Sequence, residues 1–272
     1  MFYLSHRSMI KNIFKTFSKY KYGLVLSGGA ARGFAHLGVI KALQEQDIRP
    51  DIISSVSAGS IVGSLYCDGY SPEEILDIFQ SKKLISLAEF RFRKNGILRA
   101  TGLRRLLEKN LRAKTFDDLK LPLIIAATNM RTGRAEYIKK GNLVDTILAS
   151  SSIPVLFESA KIGNDLYMDG GIVDNLPIEP IQDKCKKIIA VHVNPVGEEK
   201  NIKGIVKVAF RSFHLSVAAG VKFKLDNIDI FIEPLQLKDY GLLDLNKSRE
   251  MFDIGYRHTK KILTEKKEGI RA

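Results

Sequence analysis

Two short apolar runs, residues 22 to 26 and 52 to 56, each end in small residues and pass straight into a helical pattern. The first meets Ser27, Gly28 and Gly29, then a helical repeat from about residue 32 to 46 carrying Phe34, Leu37, Val39, Ile40 and Leu43. The second, opened by Pro50 and Asp51, ends at Ser57 and is followed at once by Ile61, Val62 and Leu65. Strand–helix–strand–helix at these lengths calls for parallel strands joined by helical crossovers, so an α/β fold on a mainly parallel sheet is expected. Neighbouring strands of such a sheet deliver the loops that follow them to one edge, where ligands meet the fold.

The rest of the chain keeps the same rhythm with one break. Ser71 and Pro72, followed by Glu73 and Glu74, form a helix start with Ser71 as cap and Pro72 in the first helical position. Residues 121 to 128 predict a central strand, 134 to 138 its partner, and 143 to 150 a helix that stops near Pro154. Residues 187 to 193 and 229 to 233 are further strand candidates, and helices over about 204 to 222 and 246 to 264 close the chain. Residues 163 to 175 are rich in turn formers. Residues 81 to 100 interrupt the pattern, mixing Phe90, Phe92, Ile97 and Leu98 with Arg91, Arg93, Lys94 and Arg99, and read as a loop or lid bordering the site. A helix resumes at Leu103, Leu106, Leu107 and Leu111. With no internal repeat and no linker, residues 22 to 272 are expected to form one domain, its motifs within 22 to 193 and C-terminal helices within 204 to 264.

Residues 28 to 33, Gly-Gly-Ala-Ala-Arg-Gly, sit where the first strand turns into its helix. N–H groups at such a turn have no intrahelical partner and point outward, which suits negative charge. A dinucleotide fingerprint would place glycine at position 30, where this chain has Ala30, and an acidic residue at the far end of the second strand. Asp51 lies at the start of that strand, so the dinucleotide reading fails on geometry. The other reading is an oxyanion hole built from Gly28, Gly29 and Ala30, with Arg32 adding positive charge nearby and Gly33 supporting the motif. One such donor lowers a reaction barrier by about 3–4 kcal/mol.

Ser55-Val56-Ser57-Ala58-Gly59 follows the second strand and opens a helix. A serine on a sharp strand-to-helix turn projects its hydroxyl out of the sheet, and Ser55 and Gly59 are small enough for such a turn. Most serines ahead of a helix are N-caps, but Ser57 shares its sheet edge with the glycine loop. Ser54, Ser55 and Ser60 are less well placed. A serine nucleophile needs a proton acceptor. Of five histidines, His6 lies in the N-terminal segment, and His36, His214 and His258 fall inside predicted helices as packing or surface residues. His192, near a strand end, is one candidate. Asp169 in Asp169-Gly170-Gly171 is the other.

Taken together and in this order, the three segments resemble the patatin-like phospholipase family, and the resemblance runs from about Tyr22 to at least Val193, including residues 149 to 154. The chain looks closest to its small bacterial stand-alone members. The resemblance implies a three-layer α/β/α fold, a glycine-loop oxyanion hole, and a Ser57–Asp169 dyad without histidine, Gly170 and Gly171 completing the aspartate motif. It implies no cofactor and no metal. Its implied substrates are fatty-acyl esters of phospholipids, lysophospholipids or related lipids, cleaved through an acyl-enzyme. Ala30 and Ser55 depart from the usual glycines without removing a side chain that does chemistry. The alternative is a lipid-binding or regulatory protein with a vestigial site.

Charge and composition narrow the partners. The net charge is +13, of which residues 1 to 21 carry +5 through Arg7, Lys11, Lys15, Lys19 and Lys21 with no acid. Ile10, Ile13, Phe14 and Phe17 recur there at helical spacing, giving a basic amphipathic arm suited to peripheral contact with an anionic membrane. Zinc-finger spacing, RNA-binding aromatic motifs and a long basic stripe are all missing, so nucleic acid is not an expected partner. No apolar run reaches the ~18 residues of a spanning helix, and the N-terminus has no secretory pattern. Two unpaired cysteines, Cys67 and Cys185, fit a reducing cytoplasm. Nothing in the pattern specifies an oligomeric state.

Overall fold

The computed structural model describes residues 18–80, 101–154, 156–199 and 202–269. The proposed lid and the first seventeen residues of the arm lie outside them. In chain order the described elements begin with β1 (Tyr20–Leu26), a 3-10 turn (Ala30–Gly33), α1 (Phe34–Gln44), β2 (Ile52–Val56), α2 (Ala58–Cys67) and α3 (Pro72–Gln80). They continue with α4 (Thr101–Asn110), β3 (Leu123–Asn129), β4 (Arg134–Ile138), α5 (Leu143–Ser150), β5 (Ala160–Ile162) and β6 (Asp165–Asp169). A 3-10 turn (Gly170–Ile172), β7 (Cys185–Val191), α6 (Ile205–Val221), β8 (Ile230–Ile232) and α7 (Ser248–Gly269) complete the order. Tyr20 and Lys21, expected in the arm, belong to β1.

Local chemistry sets several boundaries. Ser71 accepts the Glu74 N–H at 3.2 Å while the Glu74 carboxylate accepts the Ser71 N–H at 2.7 Å, a capping box that starts α3 at Pro72. Asn142 caps α5 by accepting the Asp145 N–H at 2.9 Å. The helix expected to begin at residue 32 starts at Phe34, because the preceding turn is wound as 3-10. The largest correction concerns residues 163 to 175. Part of that stretch is β6, which pairs antiparallel with β5 from Ile162 and Asp165 onward. The two-residue loop Gly163-Asn164, with Gly163 at φ 60°, is a hairpin signal, outweighed in the sequence by the surrounding turn formers.

The sheet runs β5-β6-β3-β2-β1-β7-β8, with β4 also on β3. β3, β2, β1, β7 and β8 are mutually parallel, while β4, β6 and β5 pair antiparallel. Alternation along the strands divides the core. Leu24, Leu26, Ile53, Ile125 and Ile189 face a layer built from α1, α2, α3, α4, α5 and α7. Val25, Ile52, Ile124, Ile188 and Ala190 face Leu176, Ile178, Ile181 and the end of α6. Both faces are covered, which makes the three-layer α/β/α arrangement and explains why these strands are near-continuously apolar. No helix among the described residues is long and apolar enough to cross a membrane.

Register places the chemistry. Leu26 pairs with Ser55, so β1 and β2 end together and release their loops at one edge. β2 stops opposite Ala126, and β3 runs on to pair Ala127 with Asp169 of β6. Since β4 covers the other edge of β3 from Ile125 to Asn129, β6 takes up the edge that β2 leaves. The residue after β2 is Ser57, so the last residue of β6 arrives beside it.

α7 locks α1 from behind through two glycines. A Cβ on Gly38 would stand 1.9 Å from the Phe252 carbonyl oxygen, and one on Gly255 would stand 2.2 Å from the Ala35 carbonyl oxygen. Backbone-to-backbone contact of this kind cannot relax by a rotamer change. Gly38→Ala and Gly255→Ala are each expected to lower the urea unfolding free energy by about 1–3 kcal/mol without changing the m-value. Midpoints equal to wild type in both would contradict the close crossing.

Candidate active site

The glycine loop is held on three sides. The Ser27 N–H donates to the Val191 carbonyl at 3.1 Å, and the Ser27 Oγ accepts the Val193 N–H at 3.0 Å. Gly28 donates its N–H to the Asn175 Oδ1 at 3.1 Å. Ala31 donates to the Leu242 carbonyl at 3.0 Å. Among the described residues, neither the Gly29 nor the Ala30 N–H has a protein acceptor. Ala30 sits at φ 48°, a left-handed conformation that favours glycine. Gly33 passes so near α2 that a Cβ there would lie 2.7 Å from the Ala58 Cβ.

Ser57 forms the turn between β2 and α2 with φ 52° and ψ −124°. A non-glycine residue in that region stores about 1–3 kcal/mol of strain and persists only where its surroundings over-determine it. They do so here. The Ser57 N–H donates to the Ser150 Oγ at 2.8 Å, and Ser150 in turn donates to the Ala126 carbonyl at 2.7 Å. A Cβ on Gly59 would meet the Leu26 and Ser27 carbonyl oxygens at 2.4 and 2.7 Å, so only glycine lets α2 begin this close to β1. Ser55 donates to the Ile124 carbonyl at 3.3 Å inside the sheet, and Ser60 donates to the Ser57 carbonyl at 2.6 Å. Of these serines and Ser54, Ser57 is the one that lines the cleft.

Asp169 is fixed by its backbone. Its N–H donates to the Ser152 carbonyl at 2.9 Å, and its carbonyl accepts from the Thr128 hydroxyl at 2.9 Å. The carboxylate accepts the Gly171 N–H at 2.8 Å and shares its cleft with Ser57. Gly170 must be glycine, since a Cβ there would lie 2.3 Å from the Ala126 carbonyl oxygen. Asp169 is 2% exposed, and burial pushes its pKa up to about 6, with the hydrogen bonds from Ser57 and Gly171 pulling the other way.

These groups share a cleft lined by Gly28, Gly29, Ala30, Ser57, Asp169 and Asn175 and by apolar residues including Ile153, Phe210, Phe213, Val217 and Leu242. Arg32 is placed differently from expectation. Its guanidinium donates to the Tyr240 carbonyl at 2.7 and 3.0 Å, to the Asn194 Oδ1 at 3.1 Å and to the Pro195 carbonyl at 3.0 Å, and it does not line the cleft. Burial, then Arg211, lowers its pKa to about 10, leaving it charged at neutral pH. It braces the glycine loop against residues 194–195 and 240. His192 is also outside the cleft, its Nδ1 bonded to Glu233 at 2.7 Å. His214, read from sequence as packing or surface, does line the cleft, where burial lowers its pKa to about 4. Asn175 had no distinguishing sequence signal, because only the tertiary approach of two loops brings it to the cleft.

Comparison with known proteins accords with this architecture. The patatin-like phospholipase family model matches residues 24–181, and the chain belongs to that family. It is similar to the lysophospholipase NTE1 of Kluyveromyces lactis, 29% identical over 92% of this chain and 20% of that protein. It is also similar to the lysophospholipase NTE1 of Saccharomyces cerevisiae, 26% identical over 92% of this chain and 17% of that protein. The chain thus spans about a fifth of the length of these curated relatives. The crystal structure of VipD from Legionella pneumophila shares the fold, with a TM-score of 0.54 at 17% identity over 91% of this chain and 67% of that one.

Two stability measurements probe this geometry. Ala30→Gly should raise the unfolding free energy by about 1 kcal/mol by relieving the left-handed alanine, and a destabilised variant would contradict that conformation. Asp169 has a folded pKa near 6, above its unfolded value of about 3.9, so its protonated form favours the fold. That contribution is complete below about pH 4 and is lost as pH rises through 6, where the buried carboxylate costs about 3 kcal/mol. Asp169→Asn should therefore be more stable than wild type at pH 8 and nearly equal to it at pH 4. The same difference at both pH values would contradict the buried, raised carboxylate.

Proposed function

We propose that this chain is a serine acyl hydrolase that cleaves fatty-acyl esters of phospholipids or lysophospholipids, with residues 22 to 272 acting as one catalytic domain. The observation that carries this reading is that Ser57 lines one cleft with a buried Asp169 carboxylate, whose pKa burial raises to about 6 and the Ser57 hydroxyl pulls back down. Membership of the patatin-like phospholipase family and the lysophospholipase names of its relatives support a lipid ester as substrate. The apolar cleft wall of Ile153, Phe210, Phe213, Val217 and Leu242 suits an acyl chain.

In this mechanism Ser57 Oγ attacks the ester carbonyl carbon while its proton passes to Asp169. The developing oxyanion is received by the N–H groups of Gly29 and Ala30, which have no protein acceptor among the described residues. Collapse of the tetrahedral intermediate expels the alcohol, which takes the proton from Asp169 and leaves an acyl-serine. Water then gives a proton to Asp169 and attacks the acyl-serine, and Ser57 recovers that proton as the fatty acid leaves. Arg32 supports the loop rather than touching substrate. The basic arm is proposed to contact the anionic inner membrane surface from the cytoplasmic side.

Ser57→Ala and Asp169→Asn are each expected to lower kcat on a long-chain lysophospholipid by roughly 10³-fold or more with the fold intact. His192→Gln should leave turnover close to wild type. Because the base must be ionised, kcat/KM should rise with pH and level off above about 6. Activity surviving in either dyad variant, or lost in His192→Gln alone, would overturn the assignment.

A further inference from the structure

The Gly28 N–H, expected from sequence to face a reacting oxygen, already has an acceptor in Asn175 Oδ1 at 3.1 Å. That bond fixes how the carboxamide is turned. An N–H donor faces it, so the oxygen occupies that side and the amino group the other. The amino nitrogen, Nδ2, is buried and has no partner among the described residues, although Asn175 is only 5% exposed and lines the cleft. A buried donor without an acceptor is destabilising and rare in native structures, so its retention calls for an explanation.

The surroundings supply one. The point where a Gly28 Cβ would stand lies 2.6 Å from the Asn175 Oδ1 and 3.1 Å from the Ser57 Cβ, so Asn175 and Ser57 both border the side of Gly28 that lacks a side chain. The corresponding point at Gly171 lies 2.9 Å from the Asn175 Oδ1 and 3.0 Å from the Asp169 Oδ1. Glycine at both positions leaves room for the carboxamide between the two loops. Donation from Gly28 into the amide oxygen also polarises the amide, making its amino hydrogens better donors.

We propose that the Asn175 side-chain amide is a catalytic residue, donating through Nδ2 to the substrate carbonyl oxygen as it becomes the oxyanion, and carrying the pull of the Gly28 N–H one amide further into the cleft. This rests on the acyl-hydrolase reading of Ser57 and deepens it. The oxyanion hole is then a mixed one, with backbone donors from Gly29 and Ala30 and a side-chain donor from the loop that also carries Asp169. The glycine loop and the aspartate loop must both be seated before the site is complete. A neutral carboxamide suits this place better than a cation, since it adds a donor without a charge that would lower the basicity of Asp169.

The test compares Asn175→Asp with Asn175→Ala on a soluble short-chain ester. The aspartate variant keeps an acceptor for Gly28 and the same volume but loses the donor, whereas the alanine variant loses both. Rates are read on the alkaline plateau of each pH profile, because an added carboxylate shifts the profile. Loss of one oxyanion donor typically costs about 10²–10³ in kcat, so both variants should fall by that factor with KM nearly unchanged. An alkylboronic acid, whose tetrahedral adduct on the serine oxygen presents an oxygen anion, should lose affinity in step. In unsubstituted, nitrogen-15-labelled protein, the Asn175 side-chain amide resonances should move downfield when the boronic acid binds, a readout that requires no variant to fold. A kcat for Asn175→Asp within about threefold of wild type, or amide resonances unmoved by the boronic acid, would overturn the proposal and leave the dyad standing. A wild-type chain that neither hydrolyses the ester nor binds the boronic acid would remove the acyl-hydrolase reading and this proposal with it.

Discussion

The approach of α2 to the end of β1, which Gly59 alone permits, is the contact on which the rest of this site depends. With its α-carbon pressed against the carbonyls of Leu26 and Ser27, α2 begins directly beside the glycine loop. The connection from β2 then has no slack, and Ser57 is forced into a left-handed turn at the sheet edge. Gly33 against Ala58, and Gly170 against the Ala126 carbonyl, repeat the same device on either side. Gly59 and Gly170 each keep a methyl group from a place where two backbones meet, and Gly33 keeps one from the Ala58 side chain. Rigidity at the edge comes from these contacts and from the Ser150 bridge between Ser57 and β3, so the hydroxyl is positioned by backbone rather than by a mobile side chain.

A second constraint is electrostatic. A carboxylate exposed to water is too weak a base to help a serine hydroxyl, whereas one buried without compensation would be neutral at physiological pH. Asp169 sits between these limits. Burial raises its pKa, and the hydrogen bonds from Ser57 and Gly171 restrain the rise to about 6. The site is thereby less stable than it would be with a neutral isostere, a pattern expected where chemistry and stability make opposing demands. Arg32 shows the complementary choice, a buried cation held by backbone and amide oxygens and absent from the cleft lining.

Much of this was legible in the sequence, and for identifiable reasons. The strand-to-helix turns at Gly28 and Ser57 announce themselves through periodicity and small residues, and parallel neighbours share an edge by geometry alone. Asp51 was excluded from a ligand role by its position at the start of a strand, and its carboxylate indeed accepts the Lys21 and Tyr22 N–H groups at 2.8 and 2.7 Å at the far end of the sheet. What escaped were features that depend on partners distant in sequence. β6 is only five residues long and set among turn formers, so its strand character comes from pairing with β3 and β5 rather than from its own pattern. The placement of Arg32, His214 and Asn175 depends on segments 20 to more than 200 residues away, for which local sequence carries no signal.

The central claim is that one serine hydroxyl, Ser57, is made nucleophilic by the buried carboxylate beside it. A long-chain fluorophosphonate, which reacts with activated serines by losing fluoride, tests this most directly when the adduct is mapped by peptide mass spectrometry on folded protein. The account predicts a single adduct, on Ser57, formed far more slowly once Asp169 is replaced by asparagine. An adduct on another residue, or an unmodified Ser57 in protein that is demonstrably folded, would contradict it.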